Sequence, residues 1–90
     1  MSACDAKVFQ NITQARFDCL VAKAKAANFH IEGTSGTVSK SGAKVTYNYD
    51  PAAKQLTIQC IDKPWIVSCD FVYAQLVPFI NGCISANPGG

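Results

Sequence analysis

Cys60 and Cys69 are the residues whose type and spacing come closest to catalytic chemistry in this chain. A strand ending near Cys60 and a helix beginning near Cys69 would bring the two sulfurs towards each other across Asp62, Lys63, Pro64, Trp65, Ile66 and Val67. A thiol at a helix N-terminus has its thiolate favoured by the dipole, a common origin of reactive cysteines. On that reading Cys69 is a catalytic or redox-sensing thiol and Cys60 its resolving partner. A Cys60–Cys69 disulfide, or plain packing, are the other two accounts. Asp70 opposes the thiolate, and nothing in the spacing brings His30, the only histidine, in as a base.

All five cysteines, Cys4, Cys19, Cys60, Cys69 and Cys83, fall on apolar positions of the predicted elements. In an oxidising compartment so small a chain would make two disulfides and keep one thiol, whereas in the cytosol cysteines serve as small buried side chains. Residues 1–7 lack the apolar core of a secretory signal, so the default expectation is a cytoplasmic protein with packed thiols. A trimmed secreted chain would read the same. No pair has C-x-x-C spacing and a single histidine is a poor start for a tetrahedral zinc site, so no metal or other cofactor is expected.

Binding chemistry rests on aromatic and cationic residues. Tyr47 and Tyr49 alternate onto the inner face of a predicted strand, Tyr73 lies beside the apolar stripe of the last predicted helix, and Trp65 follows Pro64 in the connection between strand and helix. With Arg16 these are the candidate ligand-binding residues. Arg16 can meet an anionic group at a pocket mouth, although long cationic side chains more commonly lay their stems along an apolar rim. Trp65 has a similar duality, as a ligand platform or, more often, a core plug. Residues 32–38 are glycine-rich, but they lead from helix into strand and lack the Gly-Lys pair of a phosphate loop, so a strand start or bulge is expected there.

A few short elements must position these groups. Residues 4–27 read as a helix with Val8, Ile12, Ala15, Cys19, Ala22 and Ala26 on one stripe, Phe9 and Leu20 beside it, and Phe17 and Val21 turned away. Period two then takes over, with strands expected at 34–40, 43–50 and 55–61, a tight Ser41-Gly42 turn, and a second turn preset by Pro51. Ala43, Val45, Tyr47 and Tyr49 face one way in the second strand, and Leu56, Ile58 and Cys60 face inward in the third. Ser68 or Asp70 caps the last helix, whose central stripe is Val72, Leu76, Phe79, Ile80 and Cys83, with Pro78 expected to bend it. The fold class predicted is α+β, a two-layer helix, three-stranded antiparallel meander and helix, with both helices on one face of the sheet.

With 90 residues this is one small domain, read as an ordered core over 4–84 and a flexible tail over 85–90. Hydrophobic residues make up 49% and charged residues only 16%, so there is less water-seeking surface than usual. A net charge of +2 without a basic stripe excludes the footprint of a nucleic-acid binder. The apolar run over 71–84 is interrupted by Pro78 and Gly82 and is too short for a membrane span. Three strands are about 14 Å wide while two helices need about 20 Å, and the third strand has no charge or proline to protect its edge. A homodimer is expected from that mismatch, with the third strand or the last helix at its interface. The function expected is a non-enzymatic binding or assembly module, homodimeric, holding an apolar or amphipathic small molecule between helices and sheet. The alternative is the thiol enzyme or redox sensor on Cys69 and Cys60.

Overall fold

Thr13 decides where the first helix begins. In the computed structural model of the chain, which describes residues 3–29, 31–40 and 42–88, the Thr13 hydroxyl accepts a hydrogen bond from the Arg16 amide at 3.3 Å and helix α1 spans Gln14–Ala26. The helix expected to start at residue 4 is thus cut short. Asn11 takes a left-handed φ of 59°, which a right-handed helix does not accommodate, and the Ile12 amide donates to the Lys54 carbonyl at 2.8 Å. Upstream, Lys7–Phe9 form strand β1. His30, Ser41 of the expected turn and Gly89 and Gly90 of the expected tail lie outside the described residues.

Three further strands, β2 (Ser35–Lys40), β3 (Ala43–Asp50) and β4 (Gln55–Asp62), complete an antiparallel sheet in the order β1-β4-β3-β2. The expected meander is present, and the rows expected to face inward lie opposite one another, Val45 with Cys60, Tyr47 with Ile58 and Tyr49 with Leu56. The sheet has four strands, however. Lys7 pairs with Ile58 and Phe9 with Leu56, so β4 is internal and the bare edge that would favour a dimer is covered. Four strands at about 4.8 Å span about 19 Å, close to the width of two helices, which also removes the mismatch.

Helix α2 (Cys69–Ala86) starts where Ser68 accepts a hydrogen bond from the Phe71 amide at 3.0 Å and runs through Pro78 without a break. Both helices pack on the sheet face that carries Val45, Tyr49, Leu56, Ile58 and Cys60. On α1 the buried face is Phe17, Leu20 and Ala24, with Val21 half-buried, whereas Ala15, Ala22 and Ala26 are exposed. The expected stripe takes its phase from Val8 and Ile12, both of which precede the helix. Once Gln14 is the first helical residue, spacings of three and four connect 17, 20, 21 and 24.

Two disulfides tie these layers together, so the expectation of packed, reduced cysteines is corrected. Cys19–Cys83 joins the two helices and Cys4–Cys69 joins the N-terminal segment to the start of α2, leaving Cys60 as a buried free thiol. Helix α2 extends past Ile84, and the Arg16 guanidinium donates to the carbonyls of Asn87 at 2.9 Å and Pro88 at 3.2 Å, tying down the end of the helix. Gly82 leaves room for Lys23, whose ammonium lies 5.8 Å from the Phe79 ring centroid. Among the described residues no helix is long and apolar enough to cross a membrane.

Candidate functional site

Between the helix pair and the sheet lies a cavity of about 530 Å³. Its floor is made of buried side chains, Phe17 and Leu20 from α1, Val45 from β3, Leu56 and Ile58 from β4, and Val72 and Ile80 from α2. Its rim is more open, with Ala27, Phe71 and Gln75 exposed and Pro64 and Val67 half-buried. Among the described residues the lining contains no Asp, Glu, Lys, Arg, His or Cys, and the polar side-chain groups there are the Gln75 amide and the Tyr47 hydroxyl. An apolar void of this size is in the range that takes small organic ligands, and with so few polar groups it selects by shape and hydrophobicity.

One wall depends on a glycine. Gly36 of β2 lies opposite Tyr47 of β3, and a Cβ at Gly36 would come within 2.9 Å of the Tyr47 hydroxyl oxygen. The missing side chain lets the tyrosine lie across β2, where its hydroxyl donates to the Glu32 carbonyl at 3.1 Å. The ring thereby becomes cavity wall while its polar end is satisfied. That is the role of the glycine-rich segment, which continues as strand β2.

Of the five candidate ligand residues, Tyr47 alone lines the cavity. Tyr49 is 2% exposed, stacks on Phe17 with ring centroids 4.2 Å apart, and donates from its hydroxyl to the Ile12 carbonyl at 2.7 Å. Burial, and then the negative charges of Asp18 and Asp50, push its hydroxyl above the ordinary value of 10.0. Tyr73 lies between the N-terminal segment and β4, donating to the Asp5 carbonyl while accepting from the Cys60 amide at 3.2 Å. Arg16 is committed to backbone carbonyls, including Asn11 at 2.7 Å. These three are structural ties.

Trp65 is neither plug nor platform. It is 88% exposed, on the connection between β4 and α2, next to Ile66 at 73%. Cys69 is bonded to Cys4 and not to Cys60, so it offers no free thiol, and Cys60 is fully buried with its Sγ directed to the Asp62 carbonyl at 3.2 Å. The expected pairing of the two as nucleophile and resolving thiol has no counterpart in this geometry.

The cavity residues that sequence reasoning missed are chiefly those of α1, Phe17, Val21 and Ala24, together with Phe29 and Ile31 beyond it. The spacing of 17, 20, 21 and 24 was the available signal, and Thr13 as N-cap would have placed the helix start. No family model, curated protein or solved structure matches this chain.

Proposed function

We propose that this chain is a non-enzymatic binding module that holds an apolar or amphipathic small molecule in the cavity between its helices and sheet. The observation that carries this reading is the cavity lining itself, buried apolar side chains at the floor and a single carboxamide at the rim. Among the described residues no acid, base or nucleophile lines the space, which supports holding a ligand over transforming it. A second copy is not required, because β1 covers the edge that would favour dimerisation. The two disulfides favour an oxidising compartment over the cytoplasm expected by default.

The test is titration of the protein with an uncharged naphthalene-type fluorophore in buffer. Saturable one-site binding is expected, and Ala24→Phe, which projects a ring from the α1 wall into the void, should weaken it by at least about tenfold while the fold is retained. Binding that is absent in the wild type, or equal in the filled variant, would refute the assignment.

A further inference from the structure

Helix α2 meets the cavity with two parallel rows of side chains spaced by four. Val72, Leu76 and Ile80 form the deeper row, buried or half-buried, and Phe71, Gln75 and Phe79 the outer one, of which Phe71 and Gln75 are exposed. From Phe71 to Phe79 the helix rises about 12 Å, so the lined space is a trough elongated along the helix. Its two ends differ. The Cys19–Cys83 bridge fastens α1 to α2 beside Leu20 and one turn from Phe79 and Ile80, and that end is walled by Phe17, Leu20 and Ile80, all buried. Away from the bridge the lining passes along α1 to Ala27 and back along α2 to Gln75 and Phe71, all three exposed, and there the trough opens.

We infer that the trough takes an uncharged single-chain amphiphile of the fatty-alcohol kind, with its tail against Phe17, Leu20 and Ile80 and its hydroxyl at Gln75; this deepens the ligand-binding reading above and rests on it. Shape argues for the chain. An extended alkyl tail suits a space that is closed at one end, elongated along two helices and walled by buried apolar side chains. Chemistry argues for the head. Of the two polar side-chain groups among the described lining residues, the Tyr47 hydroxyl already donates to the Glu32 carbonyl at 3.1 Å. The Gln75 carboxamide stands at the open end and can both donate and accept, which matches a hydroxyl. A carboxylate in the same place would shed water without meeting an opposite charge among the described lining residues, and an ion so placed is strongly disfavoured. Lys23 does not serve a head there. Its ammonium lies 5.8 Å from the Phe79 ring centroid and beside Gly82, towards the bridged end and about 10 Å along the helix from Gln75.

The test is displacement of the bound naphthalene-type fluorophore by three competitors of one chain length, decanol, decanoate and decyltrimethylammonium. At about pH 8, where histidine is neutral and a carboxylate ionised, decanol should compete at least about tenfold more tightly than either ion. Gln75→Leu should hold the wholly apolar fluorophore more tightly and decanol less so, lowering the ratio of decanol affinity to fluorophore affinity about fivefold, as loss of one hydrogen bond predicts. Gln75→Lys should raise decanoate relative to decanol at least about tenfold. Either ion competing as well as decanol against the wild type overturns the uncharged head, and a ratio unmoved by Gln75→Leu overturns its place at Gln75. A fluorophore that binds but is displaced by none of the three overturns the amphiphile and leaves the ligand reading standing. A fluorophore that does not bind refutes that reading and this inference with it.

Discussion

The flank built on residues 4–20 and the rim built on residues 63–71 meet the same cavity with opposite means. The flank is pinned. Cys4–Cys69 and Cys19–Cys83 cross it, the Tyr49 and Tyr73 hydroxyls satisfy backbone carbonyls inside it, and Ile12 is fully buried under the turn between β3 and β4. The rim is tied to the flank through Cys69 but between there and Lys63 relies on a Val67 amide donating to the Pro64 carbonyl at 3.0 Å and on the Ser68 cap, and it turns Trp65, Ile66 and Phe71 outward. The flank acts as a frame that keeps the helices at a set separation, and the cavity is the space that the frame leaves unfilled. A chain selected for stability alone would fold its single tryptophan inward, because burial of so large an apolar surface is strongly favourable. The contrast therefore separates residues that hold the frame from residues that do not.

The largest effect should come from opening the frame. Cys19–Cys83 closes a loop with a sequence separation of 64, so its removal as Cys19→Ser with Cys83→Ala should cost about 4 kcal/mol in the chain-entropy account. For a domain of this size that is a fall in Tm of about 15 °C or more, measured by circular dichroism. An unchanged Tm would mean that the helix seam is held by packing alone and that the frame is not covalent in effect.

Next come two deletions of the same kind, one within the flank and one at the cavity floor. Ile12 is fully buried and does not line the cavity, whereas Ile58 is buried but borders it. Removing side-chain atoms costs their transfer free energy plus the loss of partners around the new void, and Ile58 already has empty space on one side. Ile12→Ala should cost about 4 kcal/mol and Ile58→Ala about 2 kcal/mol by urea denaturation. Equal costs would indicate that the space beside Ile58 closes up in solution.

How much of this was legible in the sequence depends on where the information resides. The inward rows Val45, Tyr47 and Tyr49, and Leu56, Ile58 and Cys60, were readable because strict alternation carries its own phase. Helix α2 was readable from its unbroken apolar stripe and Ser68. The face of α1 was not, because Val8 and Ile12 look like its first turns although Asn11 and Thr13 set them apart. Three residues cannot display a period, so β1 becomes visible only when β4 needs a neighbour. Disulfide partners depend on which ends of the elements meet, and a cavity is a lack of atoms between layers that no residue type encodes. Trp65 is hard to place for a related reason. Composition favours burying a lone tryptophan, and only the path of the connection shows that it points out.

A smaller effect is expected from Tyr49→Phe, which keeps the ring stacked on Phe17 and removes the hydrogen bond to the buried Ile12 carbonyl. The cost should be about 1–2 kcal/mol. The hydroxyl also sets a pH dependence. Its folded-state pKa is raised, first by burial and then by Asp18 and Asp50, so above the ordinary value of 10.0 the unfolded chain loses this proton before the folded one does. The folded state then binds more protons, and stability falls as pH rises through that range. Urea midpoints at increasing alkaline pH should decline more steeply for the wild type than for Tyr49→Phe. Parallel declines would place the alkaline sensitivity elsewhere in the chain.

The smallest effect should come from the rim. Replacing a buried tryptophan costs about 3–5 kcal/mol, but at 88% exposure Trp65 has little folded-state contact to lose, and a surface substitution typically falls within about 0.5 kcal/mol. Trp65→Ser should therefore melt within a few degrees of the wild type, and Ile66→Ser likewise. This near-zero result is the sharpest test of the contrast, because the frame and the rim then differ by most of the stability a small domain has. A loss of about 2 kcal/mol or more at Trp65 would show that its ring is packed in solution, and the rim would have to be reassigned as part of the frame.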